Sequence, residues 1–117
     1  MLSYLSVAAI LVAIGQADDA WAQYNDIYVG TFAVNGACTD VDAQWRLEPR
    51  TISGGGMQCV IHDVEPAPIG LTLRVRDCAS GQTTLPTASF QLDFRSTDLL
   101  RISGPSDSVL VEECLGF

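Results

Sequence analysis

The sequence predicts an all-β protein, a small antiparallel meander of about seven strands that forms a barrel or a closed sandwich. Two observations support this prediction. Short segments of alternating apolar and polar residues are separated by turns rich in Gly and Pro, and no window after residue 22 has a sustained helical period. Four cysteines follow an apolar N-terminal segment, which predicts two disulfides that staple a small exported domain.

The N-terminal segment is predicted to be a signal helix. Residues 2–14 are almost entirely apolar, but they are fewer than the roughly 20 apolar residues that a membrane-spanning helix needs. Ala20-Trp21-Ala22 has the small-x-small pattern of a cleavage site. We therefore expect a signal peptide at 1–22 and a single domain at 23–117, located in the periplasm or secreted. Two alternatives stay open, which are cleavage after Ala17 and retention of the segment as a membrane anchor.

Seven segments have the alternation of a strand with one buried face. In the clearest of them, Phe90, Leu92 and Phe94 point to one face and the polar residues between them point to the other. Because turn residues follow each segment, consecutive strands are expected to be antiparallel neighbours. The predicted strands are Ile27–Val34, Gln44–Glu48, Met57–His62, Leu71–Arg76, Ser89–Arg95, Leu99–Ser103 and Val109–Cys114.

The connections between these segments contain residues suited to tight turns. Asn35-Gly36, Ser80-Gly81 and the run Gly54-Gly55-Gly56 all tolerate a positive φ. The segment 65–70 contains two prolines, which lack the N–H group that a strand interior requires. It is therefore predicted to be a loop, and residues 103–107 are predicted to turn the last hairpin.

The predicted strand directions constrain the disulfide pairing. Cys59 and Cys78 fall at the same end of adjacent strands, while Cys38 follows the first strand and Cys114 ends the last. In a seven-stranded meander the first and last strands run in the same direction, so Cys38 and Cys114 also share one end. Among the three possible pairings we therefore predict Cys59–Cys78 and Cys38–Cys114. Because Cys78 has the alternation phase of the outward-facing Arg76, a β-bulge or an earlier strand end must correct its direction.

The charge of the predicted mature domain disfavours two classes of partner. Two of the fourteen acidic residues lie in the leader, which leaves twelve acids, six arginines and no lysine, and a net charge of −6. Nucleic acids and anionic membrane surfaces require clustered cations, so neither is expected as a partner after signal cleavage. An acidic exported domain is instead suited to a basic protein partner, although the charge also serves solubility.

Few residues are suited to catalysis or metal binding. His62 is the only histidine, and Cys59 lies three residues before it on the opposite strand face, so the two cannot easily form a nucleophilic pair. The motif Cys59-x-x-His62 lacks the further ligands of a zinc site, and Asp40 and Asp42 lack the spacing of a calcium loop. We expect no enzyme activity, cofactor or metal. A hydrolase that uses His62 with Asp63 is the alternative.

Two loops and one strand face are candidate contact surfaces. The Gly54-Gly55-Gly56 turn is the predicted contact loop for a partner, and the 66–70 loop is a second candidate, because binding residues tend to lie on loops of a rigid scaffold. Outward-facing arginines would form one surface if their strands were neighbours, or would pair with acids across strands; they are Arg46, Arg74, Arg76, Arg95 and Arg101. The predicted function is non-catalytic binding, with or without inhibition, of a basic protein. The alternative is a structural envelope accessory with no specific ligand.

Overall fold

Eight antiparallel strands form a closed barrel in which every strand pairs with its neighbours in sequence. The structure is a computed structural model that describes residues 19–81, 83–105 and 107–115. The strands are β1 (Gly30–Ala33), β2 (Gln44–Leu47), β3 (Thr51–Gly54), β4 (Met57–Pro66), β5 (Leu71–Ser80), β6 (Thr83–Phe94), β7 (Leu99–Ser103) and β8 (Ser108–Glu113).

The barrel confirms the predicted all-β antiparallel meander. It closes where β1 pairs with β8, with Phe32 opposite Glu113 and Ala33 opposite Glu112. The eighth strand is β3, which the sequence did not reveal, because it is four residues long and ends in the glycine run. Its pairing with β2 and β4 places Gly54 opposite both Trp45 and Met57.

Alternate residues of each strand fill the barrel interior. On β5, Leu71, Leu73 and Val75 are fully buried, whereas Arg74 and Arg76 between them are exposed. An eight-stranded barrel has an interior that side chains can just fill, and here Phe32, Leu47, Ile52, Ile61, Phe90, Leu92, Leu100, Ile102 and Val111 complete the core.

A β-bulge in β5 turns Cys78 into the barrel. Gln58 pairs with Ala79 and Val60 pairs with Arg76, so β5 has one extra residue between these pairs. Asp77 lies at this point and has a φ of 53°. The extra residue reverses the alternation, and Cys78 is consequently buried in the core, as the sequence required.

Both predicted disulfides are present, Cys59–Cys78 and Cys38–Cys114. The geometry behind the second differs from the prediction, because an eight-stranded meander makes β1 and β8 antiparallel. The chain after β1 instead folds back through a short 3₁₀ turn at Val34–Gly36. Cys38 thereby returns to the last strand, where its Cα lies 5.8 Å from that of Cys114.

The N-terminal helix covers one end of the barrel, which we call the helix end. Residues 19–23 are α-helical, and Tyr24–Tyr28 continue as a π-helical turn. Ala20, Tyr24 and Tyr28 belong to the buried core, and the Tyr24 hydroxyl donates a 2.6 Å hydrogen bond to the carbonyl oxygen of Glu48, just after β2. The earlier part of the predicted signal peptide, with the alternative cleavage site at Ala17, lies outside the described residues. Within the described residues, no helix has the length and apolar character needed to cross a bilayer.

Candidate binding site at the open end of the barrel

The opposite end of the barrel, where β2, β4, β6 and β8 begin, contains a cavity of about 400 Å³. We call this end the open end and the cavity the mouth cavity. Its walls come from the 3₁₀ turn after β1, the 3₁₀ turn before β2, the start of β2, and the β3–β4 and β7–β8 turns. The lining residues are Val34, Asp42, Trp45, Gly54, Gly55, Met57, Phe90, Ile102, Gly104, Pro105, Asp107 and Val109.

Apolar side chains that pack on the core are partly exposed in the mouth cavity. Phe90 and Ile102 are almost fully buried, so they form its floor. Four partly buried hydrophobic residues that pack against the core also line it, namely Val34, Trp45, Met57 and Val109. The strand alternation that fills the barrel therefore continues to this end, and no α-helix of the described residues covers it.

Two glycines and an aromatic ring hold Trp45 in the wall of the cavity. A Cβ atom at Gly54 would overlap the indole, and one at Gly55 would lie 3.2 Å from it. On its other side Trp45 meets the ring of Phe90 edge-on, at 6.3 Å between ring centroids. The glycines thus allow the indole to lie flat against the turn, while Phe90 limits its movement.

The predicted contact loop Gly54-Gly55-Gly56 lies at the rim of the mouth cavity. Gly54 and Gly55 line the cavity, and a Cβ at Gly56 would meet no atom within 4 Å. The turn also borders a more open groove on the outer surface, where Gln44, Arg46 and Ser53 contribute polar groups. The conformation of this turn is therefore more restricted than three consecutive glycines indicate, because Gly54 and Gly55 lie against Trp45.

Among the described residues that line the mouth cavity, the charged ones are both acidic. They are Asp42, in the 3₁₀ turn Val41–Ala43, and Asp107, in the β7–β8 turn. The backbone of each is fixed, since Asp42 N–H donates to Asp40 Oδ1 and the Asp107 carbonyl accepts from Gly104 N–H. Neither carboxylate forms a salt bridge with a described residue. The open end therefore offers two available negative charges beside an apolar surface.

The residues considered for catalysis lie away from the mouth cavity. His62 is exposed on β4, where a register shift lets both Ile61 and Val64 face the core. Asp63 accepts a hydrogen bond from Val64 N–H, and Cys59 is buried in its disulfide. The structure therefore does not bring Cys59 and His62 together as a reactive pair.

The acids considered for calcium binding have a local structural role. Asp40 caps the 3₁₀ turn by accepting a 3.0 Å hydrogen bond from Asp42 N–H. Among the described residues, no three His, Cys, Asp or Glu side chains are grouped so that they could hold a metal ion.

The outward-facing arginines do not form one surface. Arg46 is on β2, three strands away from Arg74 on β5, and Arg74 forms a 2.7 Å ion pair with Glu65. This hydrogen bond to Arg74 is the main reason why the pKa of Glu65 lies below its usual value. Cross-strand pairing thus accounts for Arg74, and it also accounts for Arg101, which binds Asp93.

Asp93 is buried although it keeps the predicted alternation and lies on the same face as Arg101. It was expected on the exposed face, but its side chain is only 7% exposed, because Arg101 and Arg95 cover it at 3.1 and 3.6 Å. The second predicted contact loop, 66–70, lies at the helix end, but it is shorter than predicted, because β4 continues through Pro66, which pairs with Leu71. A Cβ at Gly70 would overlap the carbonyl oxygen of Leu92, so this loop is seated tightly on β6.

Sequence reasoning did not identify most of the mouth cavity. It assigned Trp45, Phe90 and Val109 to strands with a buried face, without a sign that this face opens to solvent. The available signal was an aromatic residue opposite a glycine, but that pairing becomes visible only once β3 is known.

Comparisons with family models, with curated proteins and with solved structures gave no match for this chain.

Proposed function

We propose that this protein is an exported, non-catalytic binding protein that binds a basic protein through the open end of its barrel. The main support is the mouth cavity, where partly buried apolar residues that pack on the core lie beside two carboxylates that form no salt bridge with a described residue. The mouths of β-barrels are common ligand sites, and apolar pockets with a few polar groups are typical of binding surfaces.

Charge supports a basic partner in two ways. The chain has a formal net charge of −8, so its field attracts cations over distances of about a Debye length. At the open end, Asp42 and Asp107 place that charge beside the apolar surface. Complementary charge speeds association and disfavours acidic partners, while the apolar wall contributes affinity through burial.

The disulfides support export. Two intramolecular disulfides, with no free cysteine among the described residues, are typical of the oxidising compartments outside the cytosol. We place the protein in the periplasm or among secreted proteins. If the partner is an enzyme and the open end binds over its catalytic cleft, this protein would act as its inhibitor.

The proposal is tested by capture from envelope extract, followed by rebinding of the purified captured protein. The bait is the protein produced with its leader and purified in oxidised form. We expect a basic protein that binds with a 1:1 stoichiometry and more weakly as salt increases. The double variant Asp42→Asn/Asp107→Asn should weaken rebinding at least tenfold.

A matched variant controls for loss of charge. Asp98→Asn/Glu113→Gln removes two exposed acids at the helix end and changes the net charge equally. It should leave rebinding nearly unchanged. Recovery of no specific partner would favour the structural accessory instead, and equal weakening by both double variants would refute binding at the open end.

A further inference from the structure

We propose that the mouth cavity receives one long cationic side chain, a lysine or arginine on the surface of the partner. The alkyl part would lie against Trp45 and Phe90, and the charged group would interact with Asp42 and Asp107. This inference rests on the proposed function and specifies what the open end recognises.

The size of the cavity favours a side chain over a longer segment. Ligand pockets measure roughly 300–1,000 Å³, and the mouth cavity, at about 400 Å³, is near the lower limit. The β3–β4 and β7–β8 turns bound it on two sides through Gly54, Gly55, Gly104 and Pro105. The cavity is smaller than the outer groove of about 940 Å³ with which it shares Asp42, Gly54, Gly55 and Met57, and its volume suits one inserted side chain.

The apolar wall suits the methylene groups of a lysine or arginine. Long cationic side chains bury their stems on apolar surfaces and keep the charged group near water or a counter-charge. The indole of Trp45 offers a broad aromatic surface for this stem, and tryptophan is also the aromatic residue that attracts a nearby cation most strongly. Because Gly54 and Phe90 fix the indole from two sides, little side-chain entropy would be lost on binding.

The charges of the cavity distinguish a cationic group from a purely apolar one. Its charged lining residues within the described structure are Asp42 and Asp107. Asp42 also borders the outer groove that Arg46 lines, but neither carboxylate forms a salt bridge with a described residue. An inserted apolar group would desolvate these carboxylates without compensation, and an acidic group would be repelled. A cationic group is the class that satisfies both the apolar wall and the acids.

The test uses short peptides and the fluorescence of Trp45. The Trp21→Phe variant removes the second tryptophan of the described chain, which lies at the helix end, so that Trp45 reports alone. The probes are uncharged Gly-Ser peptides that differ only in their central residue, which is lysine, arginine, norleucine or Nε-acetyl-lysine. A fifth probe, butylammonium, presents the same chemistry without a peptide.

We expect saturable changes in Trp45 fluorescence with the lysine and arginine peptides, and at least tenfold weaker binding of the norleucine and acetyl-lysine peptides. Asp42→Asn/Asp107→Asn should weaken binding of the lysine peptide at least tenfold and leave binding of the norleucine peptide unchanged. Asp98→Asn/Glu113→Gln should not alter either. The Asn replacements keep the backbone hydrogen bonds of both turns, so the fold is expected to remain intact.

Three results would overturn the inference. They are equal binding of lysine and norleucine peptides, no effect of the Asp42/Asp107 variant, and tighter binding of free butylammonium than of the lysine peptide, which would indicate a small-molecule site. If the peptides do not bind but rebinding of the captured protein still depends on Asp42 and Asp107, the proposed function stands without this mode of recognition. If the captured protein binds the Asp42→Asn/Asp107→Asn variant as tightly as the parent protein, the proposed function fails, whatever the peptides do.

Discussion

Trp45 lies directly opposite Gly54 in the β2–β3 pair, and its indole occupies the space that a side chain at position 54 would need. An aromatic ring placed across from a glycine covers backbone that would otherwise be exposed in the sheet. Here the same contact also forms a wall of the mouth cavity. The position of the indole, and hence the shape of the cavity, therefore depends on Gly54 having no Cβ.

Gly54→Ala is expected to displace the Trp45 indole and to destabilise the protein by about 1–3 kcal/mol, the usual range for an overpacked site. Unfolding in urea measures the cost, and the Trp45 emission in the Trp21→Phe background measures the displacement. In a Trp45→Leu background the same change should cost much less, because the clash is removed. Equal costs in both backgrounds would contradict this contact as the cause. Gly81 has a positive φ, but a Cβ added there would meet no atom within 4 Å. Gly81→Ala therefore measures the cost of backbone strain without a side-chain clash.

Asp93 is expected to contribute more to stability than Glu65, although each is paired with an arginine. The Asp93 side chain is 7% exposed, whereas that of Glu65 is 40% exposed. Asp93→Ala removes a buried carboxylate together with its charge-assisted hydrogen bonds from Arg101, and it should cost about 1–3 kcal/mol. Glu65→Ala breaks a solvated pair and should cost less than about 1 kcal/mol. Urea unfolding of both variants at low and high salt checks the difference, and equal costs would refute it.

The two disulfides are expected to react with reductant in a fixed order. Cys59 and Cys78 are each about 1% exposed, whereas Cys38 lies in a partly exposed loop. A thiolate must reach a sulfur atom to attack it, so Cys38–Cys114 should open first under native conditions. Alkylation followed by peptide mass analysis identifies the order. Earlier labelling of Cys59 and Cys78 would indicate that the barrel opens before its surface disulfide reacts.

Loss of the Cys38–Cys114 disulfide is also expected to have the larger entropic cost. It joins residues 76 apart in sequence, whereas Cys59–Cys78 joins residues 19 apart. The chain-entropy model gives about 4–5 kcal/mol for the longer loop and about 3 kcal/mol for the shorter. Paired Cys→Ala variants measure both, with the Cys59/Cys78 variant also leaving a cavity in the core. After correction for that cavity, a larger cost for the shorter loop would contradict the entropic account.

The sequence carried enough information for the fold class, the pairing of cysteines and most strands, because alternation and turn residues act locally. The phase of Cys78 even required a bulge, which Asp77 supplies. The strand β3 could not be predicted from the sequence, since Thr51–Gly54 is too short for its alternation to be recognised without its partner strands. The mouth cavity was missed for a related reason. Whether Trp45 and Val109 end in the core or beside an opening depends on what covers the barrel end, and this is a property of the closed fold.

Alkaline pH is expected to destabilise the protein through its buried tyrosines. Burial raises the pKa of Tyr24 well above its ordinary value of 10.0, with a smaller contribution from Glu48. Burial also raises the pKa of Tyr28, and Asp93 adds to this effect. Because the folded pKa exceeds the unfolded one, this stabilisation is complete below about pH 10 and is lost as the pH rises further.

The Tyr24 contribution to this pH dependence can be isolated with one substitution. Tyr24→Phe should cost about 1 kcal/mol at neutral pH, because the hydrogen bond to the Glu48 carbonyl is lost. The same variant should lose less stability between pH 9 and pH 11.5 than the parent protein. Rapid urea unfolding at each pH measures both effects. An identical pH profile for parent and variant would show that another group is responsible.

The N-terminal helix gives a prediction about the start of the mature chain. Ala20 is 2% exposed in the core, and the Trp21 ring lies 5.1 Å from the Arg50 guanidinium while packing against the core. The predicted cleavage after Ala22 would remove both residues and expose the helix end of the barrel. We therefore expect the alternative cleavage, after Ala17, to produce the mature chain.

Two measurements check the position of this cleavage. Intact mass of the exported protein should correspond to a chain that begins at Asp18. A chain that begins at Gln23 should be less stable by about 2 kcal/mol, the scale expected for losing burial of one half-buried aromatic side chain and a small apolar one. Trp21→Ala in the longer chain should reproduce most of that loss. If the exported protein begins at Gln23, or if the shorter chain is equally stable, Ala20 and Trp21 do not contribute to closing the barrel.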